Sequence, residues 1–275
     1  MTSPETEFPP PRTEVPVWVP FLALAAVLFI VSIFGLAVYG IVTVTDPSIK
    51  TTDDLPVVAT QALTFLQDAI FVFVAWIAVR LSVGETPRER FGLVRPEGVL
   101  NVLRWTAAAY GIFWLAAIVL SAIFGPPDDQ TLVTDLRDED SLGVVIVWAV
   151  LICVLAPVVE EFFFRGFMFT VLARRMGVVW AMIVDGIVFG IGHAAGAEII
   201  QLLALAAFGM GLCLLYWRTQ SIIPCMALHA LNNSITFGVT KDLDPALFAG
   251  VVVVSVGTVV GGGLAVSARR PVVAA

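Results

Sequence analysis

Charged residues are scarce in this chain of 275 residues, where they make up 13% and hydrophobic residues make up 59%. Soluble domains carry about a quarter charged residues, so the composition excludes an ordinary soluble protein. The net charge of -7 comes largely from loop carboxylates and leaves no basic patch, which argues against nucleic acid as a partner. The expected surroundings are a lipid bilayer.

Cysteine and histidine are also rare. Cys153, Cys213 and Cys225 lie in apolar runs without a CxxC spacing. Their odd number and spacing predict neither a disulfide framework nor a thiolate metal site. The only two histidines, His193 and His229, also lie in apolar stretches, where an imidazole needs hydrogen-bond partners. Both are therefore candidate site residues.

Long apolar runs, in contrast, occur along the whole chain. A bilayer crossing needs about 20 apolar residues. Eight segments predict an all-α, polytopic membrane helix bundle, with spans at 17–44, 56–80, 101–125, 142–173, 177–196, 199–217, 220–239 and 246–268. One domain, 17–268, would follow a flexible N-terminal tail (1–16) and precede a short C-terminal tail (269–275). Four glycines within 257–263 are expected to let the last helix pack closely on a neighbour.

Arginines cluster in alternate loops of this predicted bundle. They are Arg80, Arg88, Arg90, Arg95 and Arg104 around the second loop, Arg174 and Arg175 in the fourth, Arg218 in the sixth, and Arg269 and Arg270 at the C-terminus. Short cytoplasmic loops are enriched in such residues. We therefore expect both termini to face the cytoplasm, which agrees with an even number of spans.

The densest intramembrane charge lies in the run PVVEEFFFRG, after Pro157. A charge at the bilayer centre costs about 3 kcal/mol on insertion scales, so such residues are functional candidates. Glu161 and Arg165 are four residues apart on one helix face and can pair. Glu160 points about 100° away from Glu161 and needs another partner. Pro157 interrupts the helical hydrogen bonds just upstream, which would open room beside Glu160.

A second polar group lies nearer the C-terminus, where Asn233 follows His229 by four residues and shares its helix face. At 1.5 Å per residue from the cytoplasmic helix ends, Glu160 lies roughly 21 Å deep, His193 about 26 Å and His229 about 15 Å. Helix tilt absorbs such differences. We therefore expect these side chains, from three helices, to converge on one polar intramembrane cavity.

Three short motifs in these segments carry a family resemblance. EEFFFR resembles the EExxxR motif, FGIGH the FxxxH motif and HALNN the HxxxN motif of the CAAX protease and bacteriocin-processing (CPBP) family of intramembrane endopeptidases. The similarity covers roughly residues 140–240. It implies that Glu160 is the general base and that His193 shares the attacking water. It also implies that His229 and Asn233 stabilise the oxyanion.

Glu161 and Arg165 are expected to have only a supporting role, because a structural ion pair that positions a helix is favoured over direct catalysis. The family is often labelled metalloprotease, yet HExxH is absent and a glutamate and a histidine can activate water without an ion. We expect no obligatory cofactor. If a divalent metal such as zinc binds, its ligands would be Glu160, His193 and His229.

The expected function is therefore hydrolysis of a peptide bond in a membrane-associated protein or peptide, in the bacterial plasma membrane. Nothing in the sequence selects a prenylated substrate. One alternative is a proton-coupled transporter that uses Asp68, Glu160, Asp185 and the histidines as a relay. A non-catalytic bacteriocin-immunity or scaffold protein is another, with the polar residues acting as interhelical glue. Asp68 and Asp185 are expected to support the site residues or to line water.

Overall fold

The computed structural model describes residues 15–83, 88–125, 136–194 and 196–268. Most of the two predicted tails, residues 1–14 and 269–275, lies outside these ranges, as do Arg269 and Arg270. The described chain forms eight main helices, α1 Val19–Thr45, α2 Val57–Val83, α3 Val99–Phe124, α4 Leu142–Met176, α5 Val178–Ile191, α6 Ile199–Thr219, α7 Ile223–Thr240 and α8 Pro245–Val266. Within these ranges the only β-type pairing is an isolated bridge between Val94 and Ala268. The predicted all-α bundle is confirmed.

All eight predicted spans coincide with helices, but the helices are not equal. Six of them, α1, α2, α3, α4, α6 and α8, are long and apolar enough to cross a membrane. Helix α5 has only 14 residues, or roughly 21 Å, which is shorter than a bilayer core. Helix α7 has 18 residues and includes the polar side chains of His229 and Asn233. The structure therefore describes a multi-pass membrane protein in which α5 and α7 are the two helices that fall short of a typical span.

Apolar side chains cover the outside of the bundle as well as its core. Phe29 of α1 is 67% exposed, Leu100 of α3 is 80% exposed and Val253 of α8 is 69% exposed. In water such a surface would be unfavourable, whereas in a bilayer it is the surface that meets lipid. Inside the bundle, α4 packs against α2, α5 and α7, and α6 packs against α3 and α5.

Glycine permits the close contact between α5 and α6. A Cβ atom at Gly190 would lie 2.4 Å from the carbonyl oxygen of Leu202, and one at Gly186 would lie 2.7 Å from that of Ala206. These two glycines form a GxxxG pair, which lets helix backbones approach closely. The close packing expected of the glycines within 257–263 is mostly wrong, because three of the four face open space and only Gly263 meets a neighbour.

The arginine-rich loop after α2 packs onto one end of the bundle. Phe91 is buried and stacks on Phe162 of α4 with ring centroids 4.3 Å apart. Gly92 has a φ of +69°, and its carbonyl oxygen accepts a hydrogen bond of 3.0 Å from the amide of Ile222 at the α6–α7 turn. This loop therefore ties α4 to the start of α7, the two helices that carry Glu160 and His229.

Candidate active site

Helix α4 departs from regular α-helical geometry on both sides of its glutamates. Wider π-helical turns span Leu151–Leu155 and Phe162–Phe169, and they flank the α-helical segment Ala156–Glu161. The amide of Ala156 bonds to the carbonyl oxygen of Leu151, five residues back. In that register the carbonyl of Ile152 would need a donor at Pro157, which has no N–H group. The predicted disruption at Pro157 is thus confirmed, and π-turns of this kind occur frequently at functional sites.

The carbonyl oxygen of Ile152, which cannot pair with Pro157, accepts a hydrogen bond from a predicted site residue. Asn233 Nδ2 donates a hydrogen bond of 2.9 Å to the carbonyl oxygen of Ile152. Its Oδ1 accepts a long hydrogen bond of 3.5 Å from Asn232 Nδ2. One amide hydrogen of Asn233 therefore joins α7 to α4, and the second remains for another acceptor. Ile152 was not among the predicted site residues, because a proline in a regular α-helix leaves free the carbonyl four residues back, and only the π-turn moves this to Ile152.

A buried ion-pair network lies beside this tether. Glu161 Oε1 accepts hydrogen bonds of 2.9 Å from both Arg165 Nη1 and His229 Nδ1. The Arg165 guanidinium also donates to the carbonyl oxygen of Gly209 at 3.0 Å, and its Nε lies 3.7 Å from Asp185 Oδ1. The side chains of Glu161, Arg165 and Asp185 are all completely buried. The predicted Glu161–Arg165 pair is confirmed, and it extends to His229 and Asp185.

This network fixes the orientation of the His229 ring. Because Nδ1 donates to the Glu161 carboxylate, the other ring nitrogen, Nε2, accepts a hydrogen bond in the neutral ring and donates one only in the imidazolium. The ring lies edge to face against Phe189 and Phe208, with centroid distances of 5.8 and 5.6 Å. Hydrogen bond and aromatic contacts together hold the imidazole in one place.

Glu160 and His193 form the second half of the site. His193 Nε2 lies 3.9 Å from Glu160 Oε2, beyond direct hydrogen-bonding distance. The other ring nitrogen, Nδ1, lies 2.9 Å from the carbonyl oxygen of Phe189. The two side chains are partly accessible, at 33% for His193 and 21% for Glu160. Among the described residues, Glu160 Oε2 is buried and makes no hydrogen bond.

One detail of the predicted spans is wrong at this point. His193 was expected inside a helix at 177–196, but α5 ends at Ile191. His193 lies in the following turn, where its amide bonds to the carbonyl oxygen of Gly190, three residues back. The last carbonyls of a helix have no partner within it, and the His193 ring meets this need at Phe189. The end of the helix thus orients the imidazole towards Glu160.

The Phe189 ring stands between the two histidines. Its centroid lies 5.0 Å from that of His193 and 5.8 Å from that of His229. Glu160 and Glu161 are adjacent on α4, and they face different rings: Glu160 faces His193 and Glu161 faces His229. The structure therefore brings together side chains from α4, α7 and the end of α5, as expected. Phe189 forms an aromatic wall shared by both histidines.

This geometry does not support the metal site considered from the sequence. Across the described part of the chain, no group of three histidine, cysteine or acidic side chains is placed to hold a metal ion. A catalytic zinc normally has three protein ligands. The set Glu160, His193 and His229 does not fit such a site in this structure, and we assign no chemical step to a metal.

The two further acidic residues named from the sequence have different surroundings. Asp185 accepts a hydrogen bond of 3.1 Å from Cys213 Sγ and lies beside Arg165, so it supports the ion-pair network. Asp68 on α2 is only 6% exposed, and its Oδ2 makes no hydrogen bond within the described residues. The contact between Arg165 and Asp185 could not be deduced from sequence spacing, because the two residues lie 20 positions apart on different helices.

Comparisons with known proteins find similarity in the part of the chain that carries these residues. A family model described as "Type II CAAX prenyl endopeptidase Rce1-like" matches residues 142–235, the stretch that carries all three motifs. A curated protein of Bacillus subtilis (strain 168), "Putative membrane peptidase YdiL", is 24% identical over 182 residues, which cover 64% of this chain and 72% of that protein. No solved structure matches the chain significantly.

The fold defines a multi-pass membrane protein, and these findings show its similarity to membrane proteases. Within that class, the comparisons confirm the resemblance to the CPBP family and support a CAAX-type membrane protease in general terms.

Proposed function

We propose that this chain is an intramembrane endopeptidase of the CPBP type, in which Glu160 and His193 activate the attacking water. The observation that carries the proposal is their placement, with Oε2 and Nε2 3.9 Å apart on two side chains that are each partly accessible. With Nδ1–H donating to the carbonyl oxygen of Phe189, Nε2 of the neutral ring is an acceptor, as is the carboxylate. A water molecule donates a hydrogen bond to both and is held for attack.

Hydrolysis then needs only side chains of this chain. Glu160 takes a proton from the water as its oxygen attacks the scissile carbonyl, and the C–O bond forms while the carbonyl becomes an oxyanion. Glu160 then returns the proton to the departing amine nitrogen as the C–N bond breaks. His193 orients the water by accepting its second hydrogen bond at Nε2. No electrons are transferred, so the step needs no oxidant or reductant.

The oxyanion would be stabilised from α7. Asn233 has one amide hydrogen bonded to Ile152 and one remaining, and an amide hydrogen of this kind can donate to a developing oxyanion. The Nε2 of His229 donates only when the ring carries two protons, and such a ring would pair with the Glu161 carboxylate, which lies 2.9 Å from Nδ1. Both donors are fixed by other hydrogen bonds, which is the preorganisation that such catalysis requires.

The proposed substrate is a membrane-associated protein or peptide. The site lies within the bundle, the matching family model is described as a CAAX prenyl endopeptidase, and the relative from Bacillus subtilis is named a putative membrane peptidase. The described residues offer no feature that selects a prenyl group, so prenylation of the substrate is left as an experimental variable. We further propose that the protein resides in the bacterial plasma membrane with both termini cytoplasmic.

Glu160→Gln tests the proposal, because it keeps the shape of the side chain and removes the base. Purified protein in proteoliposomes would be incubated with membrane-tethered peptides, prenylated and unprenylated, and the peptide that the wild type cleaves serves as reporter. We expect no turnover for the variant and an unchanged melting temperature. The matched control is Glu97→Gln, which changes an exposed loop carboxylate. Native cleavage by a monodisperse Glu160→Gln protein would refute the proposal.

Variants of Asn233 separate the protease from a proton-relay transporter. Loss of one oxyanion donor typically lowers turnover by about 10²- to 10³-fold, so Asn233→Ala should do so with little change in KM. Asn233→Asp should be at least as damaging, because an ionised carboxylate repels the oxyanion. A proton relay predicts the opposite order, since aspartate can carry a proton and alanine cannot. Reporter cleavage and proton flux would be measured on the same liposomes.

A further inference from the structure

Pro157 lies inside the helix that carries both glutamates, where a proline is unfavourable. Proline is the residue least suited to a helix interior, because it lacks an N–H group and its ring crowds the preceding turn. Pro157 is buried and lies near the middle of the 35-residue helix α4, three residues before Glu160. The missing N–H therefore affects the hydrogen bonds of α4 close to the proposed base.

The carbonyl of Ile152 is the group that this proline deprives of a backbone donor. In a regular α-helix it would accept a hydrogen bond from the amide of Ala156, but that amide bonds to the carbonyl oxygen of Leu151 at the π-turn. In the π-helical register the donor would be residue 157, which is proline. A helix carbonyl in an apolar interior needs a partner. Here the partner comes from another helix, as Asn233 Nδ2 at 2.9 Å.

Apolar contacts hold α7 against the same stretch of α4. Phe237, one turn after Asn233, belongs to a buried cluster with Leu151 and Cys153 of the π-turn. Helix α7 also packs against the segment Ala156–Glu161. These contacts join the two helices whether or not the hydrogen bond forms. The particular effect of the bond is therefore on the Asn233 amide, because fixing one of its hydrogens also fixes the direction of the other.

We propose that Pro157 is a positioning residue, which withholds a backbone N–H so that the Ile152 carbonyl remains available to Asn233. The bond between them aims the second amide hydrogen of Asn233 at the developing oxyanion. This inference rests on the proposed function, because it takes Asn233 as an oxyanion donor. A preorganised donor stabilises charge without having to reorient during the reaction. Loss of the proline should therefore slow the chemical step and leave substrate binding unchanged.

Pro157→Ala restores the missing N–H and favours the regular register, in which the amide of Ala156 bonds to the carbonyl of Ile152. Helix α4 gains a hydrogen bond, so the melting temperature should stay the same or rise. One neutral hydrogen bond corresponds to about 3- to 10-fold, and kcat for the cleaved reporter peptide in proteoliposomes should fall by that factor with KM unchanged. Pro157→Ser also restores the N–H and serves if the alanine variant does not fold.

The matched control is Pro245→Ala, which removes an exposed proline from the first residue of α8. An N–H at that position has no acceptor within the helix, so no carbonyl changes its partner. We expect wild-type kcat for this variant. A loss of kcat equal to that of Pro157→Ala would overturn the inference, because it would show that removal of any helix proline has this effect.

A double-mutant cycle with Asn233→Ala distinguishes positioning from a general effect on the shape of α4. If Pro157 acts through Asn233, Pro157→Ala should change kcat by less than about twofold once residue 233 is alanine. A proline that only shapes the helix would slow both backgrounds by the same factor, and this result would overturn the inference. Wild-type turnover by Asn233→Ala alone would instead refute the proposed function. A slow Asn233→Ala beside a wild-type Pro157→Ala overturns only the role of Pro157.

The tether can also be observed without any substrate. The chain contains three asparagines, Asn101, Asn232 and Asn233, so selective ¹⁵N labelling yields three pairs of side-chain amide signals in an NMR spectrum. The Asn233 pair is assigned by its loss in Asn233→Ala. Pro157→Ala should shift this pair and leave that of Asn101 in place, because Asn101 lies on α3. An unshifted Asn233 pair would overturn the inference whatever the activity of the variant.

Discussion

Replacement of Arg165 by methionine tests the buried network most directly. The side chain is completely buried, and its guanidinium bonds to Glu161 Oε1 at 2.9 Å and to the carbonyl of Gly209 at 3.0 Å. Its Nε faces Asp185 at 3.7 Å. Methionine fills much of the same space with no charge, so the change leaves two buried carboxyl groups without their cation.

The expected cost follows from the loss of charge compensation. Removal of one partner of a buried ion pair costs about 3 to 5 kcal/mol, because the remaining charge is left uncompensated. The double variant Glu161→Gln/Arg165→Met removes both charges and should regain part of that loss. The coupling energy in the double-mutant cycle should lie within about 0.5 to 3 kcal/mol. An exposed arginine, Arg95, provides the control, and Arg95→Met should leave stability unchanged.

The free energy of unfolding would be measured by denaturant titration in mixed micelles for the wild type, both single variants, the double variant and Arg95→Met. Wild-type stability of Arg165→Met would refute the argument that Arg165 compensates Glu161 and Asp185. A variant that is stable yet selectively inactive would instead place Arg165 in the chemistry.

Two further predictions concern packing and orientation. A Cβ atom at Gly209 would lie 2.9 Å from the backbone of α5, so Gly209→Ala should destabilise the protein by about 1–3 kcal/mol. A Cβ atom at Gly257 would meet nothing within 4 Å, so Gly257→Ala should be neutral or slightly stabilising. Thermal unfolding of both variants measures the difference. Equal effects of the two substitutions would contradict the close contact. Reporters fused after Arg90 and after Asp138 should read cytoplasmic and external respectively, and a reversed result would invalidate the predicted orientation.

Much of the fold follows from local sequence properties. The eight predicted spans coincide with helices because apolar runs of sufficient length are a local signal. The Glu161–Arg165 pair follows from a spacing of four residues on one helix. The end of α5 was predicted less well, because the turn at Gly192 and His193 continues an apolar run and therefore resembles a helix in hydropathy.

The glycines show where local reasoning fails. The cluster within 257–263 has the composition of a packing face, yet most of it faces open space, and the close contact forms at Gly186 and Gly190. Composition reports that a helix has a small-residue face. It does not report whether another helix lies against that face, because this depends on the packing of the whole bundle.

The sequence by itself determined that this is a membrane bundle, that its polar residues lie within the apolar segments, and which of them share a helix face. Only the tertiary structure decided which faces meet. Glu161 bonds to His229 across 68 residues of chain, and Glu160 faces His193 while Asn233 bonds to the carbonyl of Ile152. The physical reason is that helical periodicity fixes directions on one helix, whereas contacts between helices depend on the shapes of all the side chains between them.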